Sequence, residues 1–299
     1  MTLAPPLPSR EQVAERLLRS AARHSLDPAV EVDWDAPPRP DLLWLPEHRA
    51  TLYGTPLWER LSPVQRVELS KHEVASQCST GIWFETIFIA MLLRHHYGQD
   101  QVDAHARHTL TEIAEECRHS IMFATFLQTT GCPDYGPGRT LHRLGRGFKA
   151  LATPTVAFAG ALFVEELLDA MQREAMKDES VQPLIRQVAR VHVVEEARHI
   201  AFARAEVERS VAALSRTELA VTRVVTAGTA YAVLRALVPA GVYRSVGLEP
   251  REALAVREAN PHWRQAKQDW SRKVVTQLQL HGLLDDALSR RLLRHAGAA

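Results

Sequence analysis

Cysteine is scarce in this sequence: Cys78, Cys117 and Cys132 are all there is in 299 residues. An odd number at wide spacing excludes a disulfide framework and any Cys-x-x-Cys zinc pattern, so the expected compartment is a reducing cytoplasm. Glycine is also thin, at 14, and no stretch alternates apolar and polar residues over a useful length. Little is left from which to build β-sheet. Charge of one sign is missing too. Lys and Arg number 36 against 35 Asp and Glu, a net +1, so no global excess calls for a nucleic-acid or acidic-membrane partner. The longest apolar runs, such as Val156 to Val164, are about ten residues, too short for a bilayer, and a soluble protein is expected. Met1 to Arg10 is Pro-rich and has no basic segment leading into an apolar run, so no secretory signal is expected.

What is present is apolar residues at 46%, enough for a full core, with 24% charged. Disordered and collagen-like classes are thereby excluded. Fourteen histidines stand out. Their number alone proves nothing; their position relative to the carboxylates decides.

The pattern predicts one all-α domain. Arg10 to His24 carries Val13, Leu17, Leu18 and Ala21 on one helical face, after which Pro37, Pro38, Pro40 and Pro46 impose an extended wrap. Ser62-Pro63-Val64-Gln65 is a capping box with proline in the first turn, and opens a long helix to about His95. Gly81 to Leu93 is apolar nearly all round, as befits a helix inside a bundle. A second helix is predicted from about Val102 to Thr130, closed by Gly131-Cys132-Pro133, with 134–139 a turn-rich linker. Thr153-Pro154 opens a third, to about Asp178, and Pro183 a fourth, to about Leu214. Further helices are expected at 217–237, 250–260, 262–281 and 284–295. The organisation is then a helix and wrap over 1–60, a four-helix bundle over 61–215, and C-terminal helices packed on it over 216–299.

One near-repeat carries chemistry. Glu115-Glu116-Cys117-Arg118-His119 and Glu195-Glu196-Ala197-Arg198-His199 lie 80 residues apart on two different predicted helices. In each, the second Glu and the His are spaced i, i+3 and share a face. A single Glu-x-x-His is weak, since it arises by chance in many helices, where it makes a surface ion-pair stripe. The duplication argues for two such motifs plus one Glu from each of two other helices, the ligand set of a carboxylate-bridged dimetal bundle. The first long helix supplies Glu85, the only acid between Val74 and Gln99, which must be paired, protonated or metal-bound. The third supplies Glu165 or Glu166. His192 falls on the stripe of Glu196 and His199 and can add a third nitrogen; Glu112 holds the equivalent place on the second helix and reads as a supporting or exposed acid. Four carboxylates balance two divalent cations, and mixed carboxylate–imidazole ligation suits Fe or Mn over Ca or Mg. Glu115 and Glu195 are expected to pair with Arg118 and Arg198, and the other eleven histidines, His95, His96, His105 and His108 among them, to be solvated. Phe84, Phe88, Phe158 and Leu162 fall near the ligand level, as core or as substrate wall.

The order Glu85, Glu116-x-x-His119, Glu165, His192-x-x-x-Glu196-x-x-His199 resembles the p-aminobenzoate N-oxygenase family of bacterial diiron proteins, within the ferritin-like superfamily. The third histidine is that family's mark, and its 27-residue step from Glu165 to His192 selects Glu165 over Glu166. The resemblance covers roughly residues 60–210. It implies a ferritin-like four-helix bundle with two iron ions, manganese being the alternative in purified protein. Glu116 and Glu196 would bridge; Glu85 and His119 would complete one iron, and Glu165, His192 and His199 the other. It further implies oxidation of an aryl amine through hydroxylamine towards nitro product, using O₂ and an electron donor; with the large helical surface it makes a homodimer the expectation, and the charge balance and short apolar runs leave nucleic-acid and membrane partners unexpected. No motif fixes an aminobenzoate carboxylate. The competing readings are a diiron C–H hydroxylase or other diiron oxidase, a ferroxidase with no organic substrate, and a helical scaffold without activity. The ~85 residues after Leu214 speak against a ferroxidase, which needs only the short bundle.

Overall fold

Hydroxyl, carboxylate and proline residues set the helix starts in the computed structural model, which describes residues 8–298. The Pro-rich stretch at 1–7 lies outside the described residues. Helix α1 (Arg10–His24) begins at a Ser9–Gln12 capping box, and α2 (Pro28–Glu31) at Asp27. After a 3₁₀ turn at Glu47–Arg49 come α3 (Pro56–Glu59) and the 34-residue α4 (Pro63–His96), capped by Ser62 and Gln65. Helix α5 (Ala104–Thr130) starts at Asp103 and stops at Gly131, whose φ of 64° is the left-handed conformation that glycine adopts without strain. Then follow α6 (Arg139–Leu151), α7 (Pro154–Lys177), α8 (Pro183–Val211) and α9 (Arg216–Ala236). The chain ends with α10 (Gly241–Arg244), α11 (Pro250–Ala259), α12 (Pro261–Leu280) and α13 (Ala287–Ala296). No strand occurs among the described residues; an isolated bridge joins Leu43 to Val181.

Helices α4, α5, α7 and α8 form the bundle, with α4 laid on α5 and α7 on α8. Helix α1 crosses α5 and α8, α12 backs α7, and α13 backs α9, which itself packs on α7. The proline-rich wrap is tied down at Trp44 and by several hydrogen bonds of Gln182 to residues 39–43. Trp44 is buried and its N–H donates to Ser70 Oγ (3.0 Å), while Gln182 Nε2 donates to the Leu42 carbonyl (2.9 Å).

Helix α6 occupies the residues between the expected linker at 134–139 and the helix opened by Thr153-Pro154, where the sequence pattern predicts no element. Gly145 and Gly147 lower its helix propensity, and Gly138 at its start offers no side-chain cap. Tertiary packing compensates: Gly145 is the contact point with α4, where a Cβ would collide with Trp83. The expectation from apolar runs also needs amending. By length and composition, Pro63–His96 and the stretch Arg216–Arg244 are each apolar enough to cross a membrane. In the first of these, the apolar residues surround the buried acids Glu73 and Glu85 in the bundle interior.

Candidate metal centre

All four bundle helices point carboxylates or imidazoles at one place. Glu85 comes from α4, Glu116 and His119 from α5, Glu165 from α7, and His192, Glu196 and His199 from α8, every one no more than 2% exposed. Their donor atoms fall into three overlapping groups, each within 4.8 Å: Glu116, His119, Glu196 and His199; Glu85, His119 and His192; Glu85, Glu116 and Glu165. Glu116 and Glu196 lie at the middle. His119 Nδ1 is 3.0 Å from Glu116 and 3.2 Å from Glu196, and His199 Nδ1 is 3.0 Å and 3.2 Å from the same two carboxylates. His192 Nε2 is 3.4 Å from Glu196 and 3.7 Å from Glu85, so its ring stands on the side of Glu85 and His119. Burial on this scale removes the surface-stripe alternative.

The cluster does not satisfy itself. Both oxygens of Glu85, Oε1 of Glu116, Oε2 of Glu165 and of Glu196, and both ring nitrogens of His192 are buried without a hydrogen-bond partner. Leaving one such group unmet costs about 1–3 kcal/mol, and more when charged. Hard carboxylate oxygens mixed with imidazole nitrogens around one point fit divalent transition-metal ions. In the protein alone, protons supply the counter-charge. Burial, reinforced by Glu116 and Glu196, pushes the Glu85 carboxyl well above the ordinary range, and Glu165 follows for the same reasons. Burial opposes charge on His119 and His199, but the surrounding carboxylates outweigh it and raise both well above the ordinary imidazole value. His192 is different: burial lowers it to about 4, leaving a neutral imidazole at neutral pH.

Behind the histidines lies a crosswise set of contacts. His119 Nε2 pairs with Glu195 Oε2 at 2.9 Å, and His199 Nε2 with Glu115 Oε2 at 2.8 Å. Arg118 Nη2 donates to Glu195 Oε1 (3.0 Å) and Arg198 Nη2 to Glu115 Oε1 (2.7 Å). The leading Glu of each copy of the repeat therefore serves the His and Arg of the other copy. The expected partnership of these acids with the two arginines is present, but the main pairing runs between helices. Engaging Nε2 this way turns Nδ1 of both rings towards the cluster centre. Ser25 Oγ and the Leu26 N–H also donate to Glu195, so the end of α1 holds the arrangement.

Glu166 points away from the cluster and is spent on Arg204 and on Lys273 (2.9 Å), which leaves Glu165 as the inward acid. Glu112 is buried, its oxygens unpartnered and 3.7 Å from His108. The expectation of solvated histidines fails at His72, His96 and His108, all buried. His108 stacks on Phe202 at 4.5 Å, and His72 accepts from or donates to Tyr135 at 2.6 Å, so aromatic neighbours cover both rings.

A cavity of about 480 Å³ opens beside Glu165, walled by α4, α6, α7 and α9. Phe84 and Phe88 line it, whereas Phe158 and Leu162 do not. Sequence reasoning missed the α6 and α9 walls. The signal was present for α6 in Leu141, Leu144, Phe148 and Leu151, which recur at helical spacing.

Over 209 residues the chain is 27% identical to the uncharacterized proteins Rv0885 of Mycobacterium tuberculosis and Mb0909 of Mycobacterium bovis. The match takes in 68% of this chain and spans 62% of the length of each of those relatives. The family model described as p-aminobenzoate N-oxygenase AurF matches residues 7–282, through every helix that carries the cluster, and the chain belongs to that family.

Proposed function

We propose that this protein is a diiron oxygenase that transfers oxygen to the nitrogen of an aromatic amine. The observation that carries the reading is the seven-residue cluster with unmet donor atoms, set beside an apolar cavity that reaches one of them, Glu165. Glu85, Glu116, His119, Glu165, His192, Glu196 and His199 would hold two iron ions, with Glu116 and Glu196 shared between them. Iron bound there would supply the O₂ chemistry. The chain's own part is to fix the ligand geometry through Glu115 and Glu195, to exclude water with apolar walls, and to place the amine next to Glu165. In the first turnover one oxygen atom goes to nitrogen, giving the hydroxylamine. The other leaves as water, with two electrons and two protons from a separate electron donor. Free Cys78, Cys117 and Cys132 suit work in a reducing cytoplasm.

The cavity favours an organic substrate over a ferroxidase role, because iron entry does not require an apolar chamber. The test is to load the protein with Fe(II), supply a chemical reductant, ¹⁸O₂ and aromatic amines, and follow products by mass spectrometry. Labelled hydroxylamine or nitro product is expected. Metal-loaded protein that consumes O₂ yet labels only carbon, or nothing, would replace the reading with C–H hydroxylation or iron oxidation.

A further inference from the structure

We infer that the substrate is an aromatic amine carrying an extended, uncharged apolar substituent, and that Gly228 is the residue that makes room for it. The inference rests on the N-oxygenase reading for the amine, and on the cavity for the rest. Among the described residues, four side chains with polar groups line the cavity: Glu165, Arg143, Thr229 and Trp83, the last through its indole N–H alone. Glu165 belongs to the metal cluster. Thr229 Oγ1 donates to the Val225 carbonyl at 2.9 Å, within its own helix. Arg143 is exposed on α6, the covering helix. The interior therefore offers one neutral donor, the Trp83 indole N–H, and no buried cation to receive a carboxylate, which would be costly to desolvate there. An aromatic amine is uncharged at neutral pH because its lone pair is delocalised into the ring, so it can enter where an alkylammonium could not.

Size points the same way. About 480 Å³ lies in the range that encloses drug-sized ligands, several times what a lone aminobenzene ring fills. The glycines on the walls differ in what they face. A Cβ at Gly145 would collide with Trp83, and one at Gly160 would lie 3.0 Å from Phe148, so both are explained by close helix packing. A Cβ at Gly147 of the covering helix would meet nothing within 4 Å, but that residue is exposed; a Cβ at Gly228, half-buried in the middle of α9, would also meet nothing within 4 Å. No neighbouring side chain requires glycine there, and a helix interior disfavours it. The space beside it is cavity.

The experiment is isothermal titration of the full-length, iron-loaded protein, without O₂ or reductant, using para-hexylaniline, para-butylaniline and p-aminobenzoate. Affinity should rise about fourfold per methylene from butyl to hexyl, with p-aminobenzoate at least ~10-fold weaker than para-hexylaniline. Gly228→Leu should weaken para-hexylaniline at least ~10-fold with iron content unchanged. Gly228→Ala guards against a folding defect, since its methyl has open space: it should melt no lower than the native protein and weaken binding by less than the leucine variant. Binding of p-aminobenzoate as tight as that of para-hexylaniline would overturn the inference, as would unchanged para-hexylaniline binding in both variants. Because binding is read without turnover, absence of N-oxygenation would refute the proposed function and leave this result standing.

Discussion

Glu116 and Glu196 each approach imidazole nitrogens from both copies of the repeat, within 3.2 Å in every case. A residue so placed touches whatever either histidine holds. Glu116→Ala or Glu196→Ala should therefore lose at least one metal ion per chain, counted by elemental analysis, whereas His192→Ala should keep part of the metal and lose turnover. Full metal content in either glutamate variant would remove them from the shared position. A second acid tests burial far from the cluster. Glu73 is fully buried on α4, and burial raises its carboxyl to about 7, opposed by donation from the Thr51 hydroxyl and N–H. The folded state then holds a proton that the unfolded chain has released above the ordinary value near 4.5. Its contribution to stability is complete below that value and lost as pH rises through about 7, a loss of up to about 3 kcal/mol. Glu73→Gln cannot ionise, so its melting temperature relative to the native protein should climb between pH 5 and pH 8; a constant difference would contradict the sign. Of the residues at the centre, Glu85 was legible because it is an isolated acid in an apolar helix, and the Glu-x-x-His pairs because they are duplicated. His108 and Glu73 were not, since burial of a polar residue depends on partners far away in the chain.

At the scale of helices, caps were readable and packing was not. Ser62, Asp103, Thr153 and Ser215 each accept a backbone N–H at the start of a long helix, local chemistry that a few residues specify. Helix α6 escaped because its two glycines argue against a helix and its warrant is a contact with Trp83 on another element. That contact also sets its firmness. Only Gly145 of its 13 residues is buried, while Arg139, Arg143, Arg146 and Lys149 are exposed. Segments with few buried contacts open at low cost. Limited trypsin digestion should cut first within 139–149, before any site in α4, α5, α7 or α8, and peptide mass mapping reads the order. A first cut inside a bundle helix would show that α6 is the better anchored element.

Across the whole molecule, the linear order Glu, Glu-x-x-His, Glu, His plus Glu-x-x-His predicted which helices converge, because each supplies one share of a single charged site. The cavity was hidden, for it exists only where α6 and α9 meet α4 and α7. Convergence of four helices would also make a bound metal a folding ligand: ions that bind the native state and not the unfolded chain stabilise it by about 2.7 kcal/mol at 100-fold excess over Kd. Iron-loaded protein should melt several degrees above protein stripped by a chelator, by calorimetry, and Glu85→Ala should narrow the gap. Equal melting of the two forms would count against a site built from all four helices.

The crosswise pairing behind the histidines has a consequence for descent. Glu115 is tied to Arg198 and His199, and Glu195 to Arg118 and His119, so a change in the leading Glu of one copy is felt 76 to 84 positions away, at the histidine of the other copy. Neither copy can drift alone. Among related sequences, positions 115 and 198 should covary, as should 195 and 118, and an exchange of acid for base at one member should be tolerated only when its distant counterpart has made the reverse exchange.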